Sequence, residues 1–415
     1  MGKKLKRINI NKLGKSLFSN KPLVYIIASV LLVVIFTNTS IQQYISDQSQ
    51  AAGIGSGFPV EQGGEPIAPN WEMRRITDFP GEERVSDIYN DRLLFTGQDT
   101  LGYVNGMYVY DFSTEPGTVV SIPQSTPGDI QLPARIYGDN IVWAQSGNGF
   151  PGDWDIFMQT IGGDQINLTN NVQPEAFVDI YGDYLVYATS IGGNTSDYDK
   201  IYVHYLPSNT IVYTVNKQKF SIKGVRIYED KIVWLEQLNT PEGVPSPEAA
   251  FVMELETPNF PIIELYSSDG TDSIISNFDF YGDVIVAELI QDYQDTSERN
   301  IFAYQLGSGL FAQITNSKYN QSPTIYKNKI LYFHYEILTS QTAYLYDLLS
   351  KTKQTIFSVS SDDYQNMQLA SLPSGITKVR NRYNAFIHIF SEDSTGELSI
   401  NIYRLISQPK FGWSF

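Results

Sequence analysis

Arg135-Ile136-Tyr137-Gly138-Asp139-Asn140-Ile141-Val142-Trp143 is the stretch that decides the fold. Two runs of β-branched and aromatic residues flank a two-residue break, which reads as strand, tight turn, strand. Asp139, at the second turn position, is of a type that tolerates a left-handed backbone, and Gly138 precedes it. The second run is apolar at consecutive positions, as expected of a strand buried on both faces.

The pattern recurs. Asp87-Ile88-Tyr89-Asn90-Asp91-Arg92-Leu93-Leu94-Phe95 comes before it, and Asp179-Ile180-Tyr181-Gly182-Asp183-Tyr184-Leu185-Val186-Tyr187 after. Arg226-Ile227-Tyr228-Glu229-Asp230, Asp279-Phe280-Tyr281-Gly282-Asp283 and Thr324-Ile325-Tyr326-Lys327-Asn328 open three more copies. The tyrosines are 44 to 53 residues apart, a regular internal repeat. A third strand follows each hairpin after a variable loop, as in Asp155-Ile156-Phe157-Met158 and Asn300-Ile301-Phe302-Ala303. A fourth comes next, as in Gln165-Ile166-Asn167-Leu168-Thr169-Asn170 and Ala312-Gln313-Ile314-Thr315-Asn316. Four antiparallel strands per repeat make one propeller blade. Helical repeats of this length would show a 3.6 period and few glycines, and neither is present.

The chain ends supply an independent check. Residues 375–405 hold a degenerate seventh copy with three strands and no fourth. Before the first hairpin, Arg74-Arg75-Ile76-Thr77-Asp78 resembles the missing fourth strand. A ring of seven blades closes if that segment completes the last blade, and closure removes open sheet edges. The count becomes six or eight if the last copy is misassigned.

Composition agrees with an all-β chain. There are 28 Tyr and 22 Phe, only 18% of residues are charged, and there is no cysteine. Thiol catalysis, disulfides and cysteine-ligated metals are excluded. The formal net charge is −16, unevenly spread: residues 1–21 carry seven cations and no acid, leaving 22 basic and 45 acidic side chains beyond them. An acidic body disfavours nucleic acid as a partner.

Residues 22–41 contain the apolar run Leu23-Val24-Tyr25-Ile26-Ile27-Ala28-Ser29-Val30-Leu31-Leu32-Val33-Val34-Ile35-Phe36. With its polar margins it reaches the ~20 residues of a spanning helix. The basic flank keeps 1–21 cytoplasmic and exports the rest, giving a single-pass membrane protein with an extracytoplasmic domain. A cleaved signal peptide is the rival reading; against it, no small-x-small site promptly follows the apolar run. Residues 42–70, rich in Gln, Ser, Gly and Pro, read as a tether, and 71–415 as the propeller.

The repeat signature resembles that of TolB-type propellers over residues 71–405: Tyr137-Gly138-Asp139 leading to Ile141-Val142-Trp143, then Asp153-Trp154-Asp155-Ile156-Phe157-Met158, then Asn167-Leu168-Thr169-Asn170. The resemblance implies a fold and little about function. The chain departs from TolB itself in lacking a separate N-terminal α/β domain and in having an anchor instead.

Motifs for catalysis are absent: no Gly-x-Ser-x-Gly elbow, phosphate loop or His-Glu-x-x-His occurs. His204, His334 and His388 belong to different blades and are read as packed or surface residues, not ligands. Asp153 and Asp155 lack the further alternating ligands of a calcium loop and are assigned to the turn and strand entry. No metal or cofactor is expected. The loops joining strands 2 and 3 (96–105, 144–154, 188–199, 235–249 and 288–299) are long and dissimilar. They carry Tyr103, Phe150, Trp154, Tyr198 and Tyr293, the candidate ligand-face aromatics. Some of these rings would serve only to cap blade cores. The sequence thus points to a non-enzymatic binding or scaffolding module for a protein, peptide or envelope polysaccharide. The competing expectation is a glycan hydrolase or lyase with carboxylates in the channel.

Overall fold

A computed structural model describes residues 65–68, 70–77, 82–98, 104–124, 130–146, 154–241, 246–256, 261–270, 274–291, 298–336, 340–360, 368–369, 375–392 and 398–408. The expected cytoplasmic segment, anchor and most of the tether lie outside these residues. Among the described residues no helix is long and apolar enough to cross a membrane.

Six sheets of four antiparallel strands follow one another along the chain, at 82–122, 130–167, 175–216, 221–268, 274–313 and 320–360. Within each, spatial order follows chain order. The first strands of neighbouring sheets pack on one another, so they form the inner wall. The repeat reading is thereby upheld: each hairpin supplies strands 1 and 2 of one sheet, and the half-motifs supply strands 3 and 4.

The second strands show why consecutive apolar positions were needed. In Asn140–Ser146 and Tyr184–Thr189 every residue after the first is buried, and in Lys231–Gln237 all but the first and last are. Each lies between two sheets, and the clusters fill the seams. Leu94, Met107 and Val109 of the first sheet meet Ile136, Ile141 and Trp143 of the second. Val186, Ile201 and Val203 of the third meet Val225, Ile232 and Trp234 of the fourth. Each large apolar side chain so buried stabilises by roughly 1.5–3 kcal/mol. The two indoles also satisfy their N–H groups, Trp143 on Gln145 Oε1 and Trp234 on Glu236 Oε1, both at 2.9 Å. The outer edge strands are short in places, three residues in Gln165–Asn167 and four in Leu310–Gln313, which limits edge-to-edge pairing.

The tight turns differ from expectation in one respect. The left-handed residue is the first of the two central ones: Asn90, Gly138, Gly182, Glu229, Gly282 and Lys327, with φ between 52° and 62°. This explains why glycine recurs there. The following Asp or Asn has another task. Its carbonyl accepts the N–H that closes strand 3, from Phe112 to Asp91, Ile161 to Asp139, Leu206 to Asp183 and Leu306 to Asp283, at 2.8–2.9 Å.

The chain ends meet as the repeat required. Trp71–Arg75 runs antiparallel to Leu398–Ser407, with Arg75 opposite Tyr403 and Trp71 opposite Ser407. Leu398–Ser407 continues to Arg382–Glu392 and then Gly375–Val379. A single parallel bridge, Glu82 with Ile400, connects this group to the first of the six sheets. The N-terminal segment also reproduces the fourth-strand chemistry of its counterparts. Ile402 N–H donates to Thr77 Oγ1 at 2.8 Å, as Ile156 N–H does to Thr169 and Ile301 N–H to Thr315, both at 2.9 Å. From the first sheet, Glu115 pairs with Arg404 at 3.2 Å and with Arg74, so one carboxylate holds both ends.

Glu65–Ala68, placed in the tether by its composition, is instead a short strand paired with Trp71–Arg75. Pro66 lacks an N–H, and an outermost strand accommodates that.

Candidate functional site: the central channel

The inner wall is built by a recurring irregularity. In each of the six sheets the pairing of strands 1 and 2 slips once: between Val85 and Asp87, Gln131 and Arg135, Ala176 and Asp179, Ile222 and Gly224, Ile275 and Asn277, and Gln321 and Thr324. Such bulges re-aim the side chains that follow. Here those side chains line a cavity of about 430 Å3.

Beyond the bulges, two places before each repeat tyrosine, stands a tier of alternating charge: Asp87, Arg135, Asp179, Arg226 and Asp279, then uncharged Thr324 and, at the matching place on Gly375–Val379, Thr377. Each aspartate ties one sheet to another. Asp87 accepts Ile88 N–H of its own strand and Ile136 N–H of the next sheet, both at 2.9 Å. Asp179 accepts Ile180 N–H at 3.0 Å and Ile227 N–H at 2.9 Å. Asp279 accepts Ile325 N–H at 2.8 Å and the Thr324 hydroxyl at 2.9 Å. Arg135 lies between two of them, 3.7 Å from Asp87 and 3.8 Å from Asp179. Burial pushes the Asp87 carboxyl up to about 6; Arg135 opposes the rise and Asp179 adds to it. Burial likewise raises Asp179 and, with Arg135 nearby, lowers the Arg226 guanidinium to about 10.

Two residues further along each first strand stands a tyrosine, ~7 Å away along the channel. Tyr89, Tyr137, Tyr181, Tyr228, Tyr281 and Tyr326 form a collar with adjacent ring centroids 4.5–5.1 Å apart. Burial holds the phenols of Tyr137 and Tyr228 well above their ordinary value. Val379 interrupts the collar: it opposes Arg382 as Tyr89 opposes Arg92. Because each tyrosine directly precedes its tight turn, the collar narrows the turn end of the channel. Strand 2 ends and strand 3 begins at the opposite, loop end of each sheet.

At that loop end the structure describes two of the five candidate aromatics. Trp154 opposite Ser146 opens strand 3 of the second sheet, half-buried, and packs on the cluster of Val142, Ala144 and Tyr187. Tyr198 is a core ring and not a surface one. It is 4% exposed, stands edge-on to Phe177 at 5.3 Å and donates its backbone N–H to Ser221 Oγ. The Gly-rich loop around it suggested exposure, but the segment folds into the seam between the third and fourth sheets. Tyr103, Phe150 and Tyr293 lie outside the described residues.

The three histidines are in three separate sheets. His204 Nε2 bonds Asn209 Oδ1 at 2.9 Å and His334 Nδ1 meets Asn320 Oδ1 at 3.2 Å. His388 Nε2 accepts Val85 N–H at 2.8 Å, and burial lowers its pKa to about 3. Asp155 is buried at strand entry, accepting from Asn167 Nδ2, Thr169 Oγ1 and Asn171 N. Sequence reading passed over the charged tier. Its signal was present in the residue two places before each repeat tyrosine, which changes sign from copy to copy.

No family profile matches the chain, and no curated protein does. Among solved structures, the β-propeller domain of the Trilobed protease from Pyrococcus furiosus, described as having an open velcro topology, is similar over 78% of this chain and 95% of its own, at 10% identity and a TM-score of 0.52. In the present chain the two ends are joined. One of two prolyl endopeptidases studied for inter-domain dynamics matches 85% of this chain and 60% of its own, at 11% identity and a TM-score of 0.49. TolB from Acinetobacter baumannii matches 78% of this chain and 79% of its own, at 13% identity and a TM-score of 0.35. Identities this low speak for fold alone. Taken with the sheet order, the likeness to the Trilobed protease domain bears out a β-propeller fold.

Proposed function

We propose that the chain is a seven-bladed propeller displayed outside a membrane by residues 22–41, and that it binds a protein or peptide without catalysing a reaction. The seven-blade count draws support from Gly375–Val379, which packs on both Asn320–Tyr326 and Glu82–Tyr89 and so continues the inner wall from the sixth sheet to the first. The binding reading rests on one observation: a walled channel of about 430 Å3, within the ~300–1,000 Å3 of ligand clefts, in which polar groups converge under a ring of amphipathic tyrosines. The partner approaches from the loop end, where Trp154 stands half-buried.

A photo-crosslinking residue in place of Trp154, in the full chain in its own membrane, should capture one partner. Changing Trp154 and Tyr293 together to alanine should weaken that capture with folding intact. Unchanged capture would count against the face. Turnover of a polysaccharide, abolished by a single substitution of Asp87 or Asp279, would replace this reading with the hydrolase or lyase.

A further inference from the structure

The charged tier holds more hydrogen-bond donors than its own acceptors engage. Both oxygens of Asp87 and both of Asp179 already accept a backbone N–H. The arginines are less well served. Arg135, 9% exposed, makes one bond of 3.4 Å to Ser86 O, and its carboxylate neighbours stand beyond hydrogen-bond distance. Arg226 bonds only the carbonyl of Val225, at 3.0 Å. The Nε atoms of both are buried with no partner. A guanidinium offers five N–H donors in a planar fork, and leaving them unsatisfied in a buried site is costly.

We propose that Arg135 and Arg226 form a carboxylate-binding site in the channel, and that the ligand is the terminal carboxylate of a peptide entering from the loop end. The inference rests on the binding-module reading above. A planar two-oxygen acceptor matches the guanidinium fork. A dianionic phosphate is a poorer fit, because three aspartates already outnumber two arginines in the tier. A polyuronate would bring a charge on every sugar against a body with 45 acidic side chains, whereas a peptide end brings one. An entering peptide meets the arginine tier before the tyrosines, so the collar serves as the floor of the site.

The geometry implies a proton count. Facing Asp87 are Arg135 from the second sheet and Asp179 from the third. Gly375–Val379 contributes Thr377, while its Lys378 lies over the Tyr383 ring. His388, on Arg382–Glu392, is held neutral against Val85 N–H. Arg226 of the fourth sheet also attracts the Asp87 carboxylate, and a ligand carboxylate on Arg135 and Arg226 offsets both cations that favour ionised Asp87. Asp87 therefore takes up a proton on binding, and affinity rises as pH falls from 8 toward 6, by at most about tenfold per unit for one proton.

Isothermal titration of the detergent-solubilised full chain tests this. The probes are N-acetyl-glycylglycine and its C-terminal amide, at pH 6.5, in two buffers of different ionisation enthalpy. The acid should bind at least tenfold more tightly than the amide, with net proton uptake. Arg226→Lys and Arg135→Lys keep the charge balance, and each should weaken the acid at least fivefold with an unchanged melting temperature. Equal binding of acid and amide, no binding, or variants that bind like the parent would overturn the proposal. So would preferential binding of galacturonate or tetramethylammonium. Arg226→Lys that loses the acid but still crosslinks the partner at position 154 would confine the loss to the channel. If the acid never binds while crosslinking persists, the carboxylate site falls and the binding module stands.

Discussion

Replacing Thr77 with valine keeps the shape of the residue and removes one hydroxyl. That hydroxyl accepts the Ile402 N–H at 2.8 Å and donates to Glu83 Oε2 at 3.1 Å. Thr77, Glu83 and Ile402 are each no more than 1% exposed, so water cannot take its place. An orphaned buried N–H costs about 1–3 kcal/mol and loss of a hydrogen bond to a charged group about 1.5–3, which together make ~3–5 kcal/mol. At ~2 °C per kcal/mol for a domain of this size, the calorimetric melting temperature should fall by about 6–10 °C. Thr169→Val is the matched control, because Thr169 accepts Ile156 N–H at 2.9 Å and donates to Asp155 at 3.1 Å within one continuous blade. Thr169 is only half-buried, so water can partly replace its hydroxyl, and Thr169→Val should lose stability by a smaller margin than Thr77→Val. If Thr169→Val behaves as stated and Thr77→Val melts like the parent, the N-terminal segment is not part of the cooperative fold, and the reasoning fails.

Other outcomes follow from the same packing. Burial raises the Glu248 carboxyl to about 8, so its neutral form is favoured in the fold. That contribution is whole below the unfolded value near 4.5 and is lost as pH rises toward 8. Glu248→Gln should therefore match the parent at pH 4.5 and exceed it at pH 8 by about 2–4 kcal/mol in urea unfolding; an equal gain at both would contradict the assignment. The seam between the fourth and fifth sheets holds an apolar gap of about 40 Å3 beside Leu235, Ile275 and Ala287. At ~24 cal/mol per Å3, Ala287→Val should add up to about 1 kcal/mol, and a lower melting temperature would show that the gap cannot take two methyl groups. Glu229 sits at φ 54° where three of the other turns have glycine. Glu229→Gly should stabilise by up to about 1 kcal/mol and Gly138→Ala, at φ 62°, should destabilise by about 1, as read by chemical denaturation.

The hairpins, the order of strands and the meeting of the chain ends were legible because each depends on local periodicity. Ile141-Val142-Trp143 can be buried on both faces only between two sheets, and Arg75-Ile76-Thr77 carries the same apolar-then-threonine pattern as Gln313-Ile314-Thr315. What was missed depends on backbone detail without a composition signal. The bulges place Phe177 and Ser322 in the left-handed region, at 56° and 54°, although neither residue type announces it. Without the bulges, the alternation of Asp87, Arg135, Asp179 and Arg226 reads as ordinary strand polarity. Tyr198 was misplaced because its neighbours are loop-like in type, yet Ser221 and Phe177 draw it inward. The role of Asp139 and its counterparts lies in a carbonyl, which every residue has, so side-chain identity pointed to the wrong position in the turn.

The chain contains no cysteine, so a pair introduced across the closing seam is unambiguous. Glu72 and Ile406 lie directly opposite each other, and such partners have Cα atoms ~4.5–5.5 Å apart, within disulfide range. The variant carrying Glu72→Cys and Ile406→Cys should oxidise fully to an intramolecular bond in the native protein and melt at a higher temperature. Two thiols that stay open to maleimide, or that link only between molecules, would mean that the N-terminal strand does not close the ring.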